Sequence, residues 1–280
     1  MNQSQIDIRE QQKQSWNKFS PGWKKWDTLT MDFLKPPGEA IIRGLAPSNA
    51  DRVLDIAAGT GEPGLTIASM IPDGKVMITD LAEDMLAIAK ENAERKGLKN
   101  VETKACDVCE LPFEDNSFDK LSCRFGYMFF PDMQLAANEM FRVLKPGGKM
   151  STSVWNLAEK NFWVTVFMST LSKNLDIPAP VPGGPGMFRC CQPGLMQGIL
   201  EKAGFRNVKE EEVQTTINAG TIDTYWNFTT DVAAPVVAAL SKADDATKQK
   251  IKEQVFAAVK EKYPGDVRMN GSALVFTAEK

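Results

Sequence analysis

A glycine-rich turn follows a short apolar run in residues 53–64, which read VLDIAAGTGEPG. Gly59, Gly61 and Gly64 fit the pattern G-x-G-x-x-G, in which missing side chains let backbone amides approach a ligand. The segment therefore predicts a buried strand, a tight turn and then a helix. Spacing alone leaves three interpretations open: a structural turn, a dinucleotide site, or a site for another adenosine cofactor.

Short apolar runs alternate with helical stretches from about Asp51 to Val154. Such alternation implies βαβ units and a parallel sheet. The predicted strands are Arg52–Ala57, Lys75–Thr79, Val101–Ala105, Phe118–Cys123 and Lys149–Val154, and the predicted helices are Gly64–Met70, Asp84–Lys96 and Leu135–Leu144. Further on we expect a helix over Gln192–Ala203, strands around Asn207–Val213 and Ala273–Ala278 at one edge of the same sheet, and mostly helix between those strands.

Two kinds of segment surround this core. Residues 1–45 place aromatic side chains among polar ones, which predicts an N-terminal helical lid. Residues 46–280 form the core, with lid insertions expected at about 156–195 and 214–270. The aromatic residues of the first segment are Trp16, Phe19, Trp23 and Trp26.

Composition excludes several classes of chemistry. The chain of 280 residues contains no histidine, so no Ser-His-Asp triad, histidine base or histidine metal ligand exists. The net charge of −3 gives no reason to expect nucleic acid as a partner. Cys106-x-x-Cys109 lacks a second pair, and we expect no metal site. A polar N-terminus and short apolar runs predict a cytoplasmic protein without a membrane span.

Three acidic residues follow the first three predicted strands. Asp55 lies inside the end of the first strand, where burial is costly unless the carboxylate has a partner such as the ammonium group of an amino acid. A pyrophosphate would be repelled there, which argues against a dinucleotide. Asp80 ends the second strand and suits ribose hydroxyls or a helix N-cap. Asp107, with the Val108 amide, suits the edge of an adenine ring or an ordinary turn.

Five segments together resemble the class I S-adenosylmethionine-dependent methyltransferases, and within them the ubiquinone/menaquinone-biosynthesis type (methyltransferase domain 11/25-like). They are VLDIAAGTG at 53–61, DLAEDML at 80–86, CDV at 106–108, FD at 118–119 and EMFRVLKPGG at 139–148. The resemblance is strong over residues 50–155 and looser beyond. It implies an α/β, Rossmann-like three-layer sandwich whose seven-stranded sheet is mostly parallel, with the last strand antiparallel.

The resemblance also implies a cofactor, S-adenosyl-L-methionine, and its product, S-adenosyl-L-homocysteine. Asp55 and the backbone of 59–61 would hold the methionine end, and residues 123–125 would lie near it. Asp80 would hold the ribose and Asp107 with Val108 the adenine edge, while Leu81 and Met85 enclose the ring. The expected cofactor-binding residues are Asp55, Ala57, Gly59, Gly61, Asp80, Leu81, Met85, Asp107, Val108, Cys123, Arg124 and Phe125.

The expected reaction is methyl transfer to a small, partly apolar acceptor. Tyr127 and Arg124 are the candidate catalytic residues, and the expected substrate residues are Trp16, Phe19, Trp23, Tyr127, Met128, Phe129 and Arg189. Alternatives are a non-catalytic S-adenosylmethionine-binding module, an NAD-dependent oxidoreductase, or a methyltransferase of quinone precursors. Quinone-pathway enzymes often have an Arg-Asn pair after the fourth strand, whereas this chain has Tyr127-Met128-Phe129 there, which argues against the last alternative. A homodimer is one assembly that the sequence allows.

Overall fold

The computed structural model describes residues 1–177 and 183–280. Residues 178–182, which fall in the predicted insertion at 156–195, lie outside the described residues. The strands are β1 Arg52–Ile56, β2 Lys75–Asp80, β3 Val101–Ala105, β4 Phe118–Arg124, β5 Leu144–Trp155, β6 Arg206–Gly220 and β7 Val267–Glu279. The helices are α1 Gln3–Lys25, α2 Asp27–Leu45, α3 Gly64–Met70, α4 Glu83–Arg95, α5 Met133–Val143, α6 Phe162–Asn174, α7 Leu195–Ala203, α8 Ile222–Val232, α9 Ala234–Leu240 and α10 Asp245–Lys262.

All seven strands join one sheet in the order β3-β2-β1-β4-β5-β7-β6. β1 to β5 run parallel, whereas β7 is antiparallel to both of its neighbours. The predicted fold class is therefore confirmed. Because β1 is central and the chain leaves it toward β2 on one side and returns to β4 on the other, a crevice opens beyond the carboxyl end of β1.

The alternation of side chains along β1 explains the three layers. Val53 packs into a cluster with α2, α3 and α4, while Leu54 and Ile56 join the larger core on the opposite face. Successive side chains of a strand point to opposite faces, so a strand apolar on both faces must be covered twice. Asp55 shares the face of Val53 and points toward the start of α3.

β6 and β7 form a long antiparallel ribbon that extends past the rest of the sheet. β5 ends where Trp155 pairs with Ala273, but β7 continues pairing with β6 as far as Val267. The sequence predicted only Asn207–Val213 and Ala273–Ala278 as strand, so the helical insertion is shorter than the predicted 214–270. It comprises α8, α9 and α10, and the ribbon places it over the carboxyl edge of the sheet.

Residues 1–45 are helical, as the sequence predicted. α1 begins with a capping box in which Asn2 and Gln5 exchange hydrogen bonds. α2 ends at Leu45, after which Ala46 adopts the left-handed conformation. Within residues 1–177 and 183–280, no helix combines the length and hydropathy needed to cross a bilayer.

Candidate cofactor and acceptor site

One large cavity opens at the carboxyl ends of the parallel strands. Its empty volume, counted out to its open mouth and including solvent there, is about 1370 Å³. Each parallel strand delivers residues to it just where the strand ends. These are Ile56–Gly59 after β1, Thr79–Leu81 after β2, Cys106–Val108 after β3, Arg124–Gly126 after β4, and Trp155 at the end of β5.

The first two glycines of the turn have different surroundings. Gly59 lines the cavity with φ +57°, and a Cβ built on it would meet no protein atom within 4 Å. Gly61 has φ +110°, and its Cβ would lie 2.7 Å from Leu65 Cδ1. Gly59 thus leaves room for a ligand, whereas Gly61 leaves room for the first turn of α3. The predicted contact between Gly61 and cofactor has no support from the cavity lining.

Asp80 lines the cavity at the end of β2. Its carboxylate accepts one hydrogen bond from Gly59 N–H at 2.9 Å and one from Ala82 N–H at 2.8 Å. Burial raises the pKa of this carboxyl, although the backbone hydrogen bonds lower it. A carboxylate oxygen has two lone pairs, so each oxygen retains one acceptor position toward the cavity. Asp80 also fixes the Gly59 loop, because it links the ends of β1 and β2.

Asp107 presents an oxygen that the protein does not use. Its Oδ1 accepts from Cys109 N–H at 2.9 Å and caps a short 3-10 turn. Its Oδ2 is buried without a hydrogen-bond partner, and the Arg9 guanidinium approaches it only to 3.8 Å. Leu81, Met85 and Val108 lie along the same part of the cavity. An amino group at the edge of an aromatic ring would satisfy this oxygen.

Asp55 does not line the cavity, contrary to the prediction that it contacts a ligand. Its side chain is fully buried and accepts from Ser122 Oγ–H at 2.6 Å and from Gly64 N–H at 2.8 Å. Burial raises the pKa of the carboxyl to about 7, while these hydrogen bonds lower it. The partner that the sequence required for this acid lies within the protein, and Asp55 joins β1, β4 and the start of α3.

An aromatic chamber occupies the other half of the cavity. We use this name for the lining residues Trp16, Trp23, Thr30, Phe33, Leu34, Phe125, Met128, Phe129, Trp155, Trp163, Met187, Phe228 and Val232–Pro235, with Arg124 at its border. Phe125 stacks on Trp155 with ring centroids 4.3 Å apart, and Trp155 stacks on Phe33 at 5.5 Å. Trp16 meets Phe129 edge to face at 5.1 Å, which brings α1 across the opening.

Four other predicted site residues lie outside the cavity lining. Tyr127 is fully buried, and its hydroxyl contacts Met140 Sδ at 3.2 Å. Burial raises its pKa well above the usual value, so Tyr127 is a core residue and not a base facing the cavity. Cys123 is buried, and burial raises its pKa to about 12. Phe19 packs beneath Trp16, and the Arg189 guanidinium donates to the Phe130 carbonyl.

Several lining residues were missed by the sequence reasoning. Trp155 could have been found, because the carboxyl end of a parallel strand faces the ligand edge. Thr30, Phe33 and Leu34 share one face of α2. Phe228 and Val232–Pro235 gave no local signal, since only the ribbon brings α8 and α9 over the sheet.

The strand order, the antiparallel β7 and a cavity at the carboxyl edge are those of the class I methyltransferase fold, and the chain has this fold. Within that class, residues 26–164 match the model of the ubiE/COQ5 methyltransferase family. The resemblance drawn from the sequence is thereby confirmed.

Curated relatives match a shorter stretch. The demethylmenaquinone methyltransferase of Bacillus cytotoxicus is 40% identical over 129 residues, which are 46% of this chain and 48% of that protein. The protein of the same name from Thermus thermophilus is 41% identical over 99 residues, 35% of this chain and 44% of the relative. The chain thus spans under half the length of these relatives.

A solved structure covers more of the chain at lower identity. A SAM dependent methyltransferase from Aquifex aeolicus superposes with a TM-score of 0.53 and 23% identity, covering 70% of this chain and 92% of that one. At this identity the likeness establishes the fold and not the substrate.

Proposed function

We propose that the protein is an S-adenosylmethionine-dependent methyltransferase that acts on a small, partly apolar acceptor. The observation that carries the proposal is the buried Oδ2 of Asp107, which has no hydrogen-bond partner and belongs to a residue lining a cavity whose other end is aromatic. The name of the matched family supports the same reaction class.

Residues at the ends of three strands fit the cofactor. Asp107 Oδ2 and the Val108 backbone would bind the adenine edge, Leu81 and Met85 would enclose the ring, and Asp80 would accept from the ribose hydroxyls. The open space at Gly59 would admit the chain toward the methionine end. S-adenosylmethionine, when bound, supplies a methyl group activated by a positively charged sulfur.

None of the described chamber residues carries a side chain suited to remove a proton. Among the described lining residues, three carboxylates line the cavity, and none of them belongs to the chamber: Glu62, Asp80 and Asp107. Glu62 is engaged with Thr66 and Lys96, at 2.6 and 3.1 Å. The protein therefore contributes alignment and exclusion of water, and the acceptor's reacting atom must arrive unprotonated.

Calorimetry with S-adenosylhomocysteine tests the proposed binding of the cofactor. Asp107→Asn keeps the cap on the 3-10 turn but turns the free oxygen into a donor that opposes an amino group. We expect this variant to bind about tenfold more weakly than wild type, and to lose any preference for S-adenosylhomocysteine over S-inosylhomocysteine. Equal affinity of wild type and variant for both ligands would contradict the assignment of Asp107.

Incubation with labelled S-adenosylmethionine and a small-molecule extract tests turnover. Label in an extracted small molecule supports the proposal, while cofactor binding without any transfer supports a binding module instead. Including a demethylated menaquinone precursor among the acceptors tests whether this protein has the activity for which the curated relatives are named. Met128-Phe129 at the chamber, with no Arg-Asn pair, leads us to expect that this precursor is a poor acceptor. The homodimer and the lid role of α1 remain predictions.

A further inference from the structure

Arg124 is the one charged side chain at the aromatic chamber among the described lining residues, and it makes only long contacts. One guanidinium nitrogen lies 3.4 Å from the Leu34 carbonyl oxygen and another lies 3.6 Å from Met31 Sδ. A guanidinium has five N–H donors, so most of its hydrogen-bonding capacity is unused. Burial lowers the pKa of this group, whereas the charges of Glu62, Asp55 and Asp27 raise it.

The three acids nearest to Arg124 are all engaged elsewhere. Asp55 accepts from Gly64 and Ser122, and Glu62 accepts from Thr66 and Lys96. Asp27 lies 3.4 Å from Arg95. In the part of the chain that the structure describes, no carboxylate forms an ion pair with Arg124. A buried cation without a counter-ion is costly, and a bound anion would remove that cost.

Two further donors at the chamber lack partners. Trp23 Nε1 and Thr30 Oγ1 are buried without a hydrogen-bond partner, and both residues line the chamber. The chamber therefore offers a positive charge and two free donors between aromatic walls, and no carboxylate. Flat apolar surface, negative charge and acceptor oxygens are the ligand properties that complement such a lining.

We propose that the methyl acceptor is a planar apolar acid that binds the aromatic chamber as an anion, with its negative group paired to Arg124. This inference rests on the proposed function. The carboxylate of the cofactor's methionine end is the other anion that the cavity would receive. Both contacts of the guanidinium, Met31 and Leu34, belong to α2. The same helix contributes Thr30 and Phe33 to the chamber. This location favours the acceptor, and not the methionine carboxylate, as the anion that pairs with Arg124.

Two probes of nearly equal size and shape test whether the chamber prefers an anionic ligand to a neutral one. Binding of 2-naphthoate and of neutral 2-naphthamide is measured by tryptophan fluorescence in the presence of saturating S-adenosylhomocysteine. We expect wild type to bind the naphthoate at least about tenfold more tightly than the amide, since a charge-assisted hydrogen bond is stronger than a neutral one. Equal affinity for the two probes, or binding of neither, would overturn the proposal.

Variants locate the charge that selects the anion. In Arg124→Met the preference for naphthoate should fall to about twofold or less, whereas Arg124→Lys should retain part of it. Arg189→Met removes a half-buried guanidinium outside the cavity lining and should leave the preference unchanged.

Calorimetry with S-adenosylhomocysteine shows whether Arg124 pairs with the acceptor or with the methionine carboxylate of the cofactor. Arg124→Met should change this affinity by less than about threefold. A loss of tenfold or more with the naphthoate preference intact would assign Arg124 to the methionine carboxylate and overturn the proposal. Failure of wild type to bind S-adenosylhomocysteine at all would instead contradict the proposed function, and circular dichroism verifies that each variant is folded.

Discussion

Gly59 and Gly61 lie two residues apart and share a positive φ, yet the space around them differs. A methyl group at position 59 would enter the cavity, while one at position 61 would press against Leu65 and Ala89, whose side chains are buried. We therefore expect ligand binding to require glycine at position 59, whereas packing requires it at position 61. Their two alanine variants form a natural pair of controls.

We expect Gly59→Ala to weaken binding of S-adenosylhomocysteine about tenfold while lowering the free energy of unfolding by only ~1 kcal/mol, the cost of left-handed backbone strain. Gly61→Ala should lower the free energy of unfolding by about 2–4 kcal/mol, because overpacking adds to strain. Calorimetry and urea denaturation of both variants measure the two effects. The assignment fails if the two variants show the same pattern.

Asp55 makes stability depend on pH. Its pKa is raised in the folded protein from 3.8 to about 7, so between these values the folded state binds more protons than the unfolded state. The contribution of Asp55 to stability must then decrease as pH rises from about 4 to about 7 and stay constant above that.

We expect the free energy of unfolding of wild type, relative to that of Asp55→Asn, to decrease between pH 4.5 and pH 7. Urea denaturation of both proteins at several pH values measures the difference and cancels the titration of all other groups. A difference that is independent of pH would show that the carboxyl ionises near its ordinary pKa.

At the scale of elements, β1 to β4 and α3 to α5 were predicted to within a few residues. Apolar runs of strand length and the glycine-rich turn are local features, so they can be recognised from the sequence alone. The ends of β6 and β7 were missed. Polar residues such as Thr215 and Asn218 become strand there only because the partner strand is opposite them.

Some residues of the candidate site could likewise be identified from local sequence, and others could not. Asp80 and Asp107 follow strands and were found, whereas the partners of Asp55, the burial of Tyr127 and the α8–α9 part of the chamber depend on contacts between distant segments. Periodicity identifies which face of an element is buried. It does not tell which side chain reaches a cavity.

α1 is attached to the rest of the molecule by apolar contact more than by charge. Its ion pairs Lys13 with Glu83, Lys24 with Glu91 and Lys25 with Asp231 are largely solvent-exposed, and such pairs contribute little. The less exposed Arg9 approaches Asp107 only to 3.8 Å. Trp16 contacts Phe19, Trp23 and Phe129. Trp16→Ala should therefore cost ~2 kcal/mol of local stability, less than a fully buried tryptophan would.

Hydrogen exchange measures this effect in α1. We expect faster exchange of residues 3–25 in Trp16→Ala, with β1 and β4 unchanged. Lys13→Ala is the control and should leave the exchange of α1 nearly as in wild type. If both variants loosen α1 equally, charge and not aromatic packing attaches this helix.

At the scale of the whole molecule, the sheet ends in two free edges, β3 and β6. The β6 edge is 15 residues long, which would invite another strand to pair with it. Glu210, Glu211 and Glu212 are exposed in the middle of this strand. Their charges oppose edge-to-edge association, although Glu211 and Glu212 are also paired with Arg43 and Lys160.

We expect the double variant Glu210→Val, Glu211→Val to associate as its concentration rises, since it presents a long apolar edge. Light scattering after size-exclusion chromatography measures the mass. Glu210→Gln, Glu211→Gln removes the charge without adding apolar surface and should associate less. An unchanged mass for the valine variant would show that another feature protects this edge.

The projecting β6–β7 ribbon is held by the sheet at one end only. One end of the ribbon pairs with β5 inside the sheet, and the other end is followed by α8, α9 and α10, of which α8 and α9 line the aromatic chamber. The nucleotide end of the cavity rests on β1 to β3 and shares no strand with this arm. Substitutions in α8 and α9 would therefore change which acceptor fits the chamber without changing the shape of the other end of the cavity. Acceptor specificity could be altered here independently of cofactor binding.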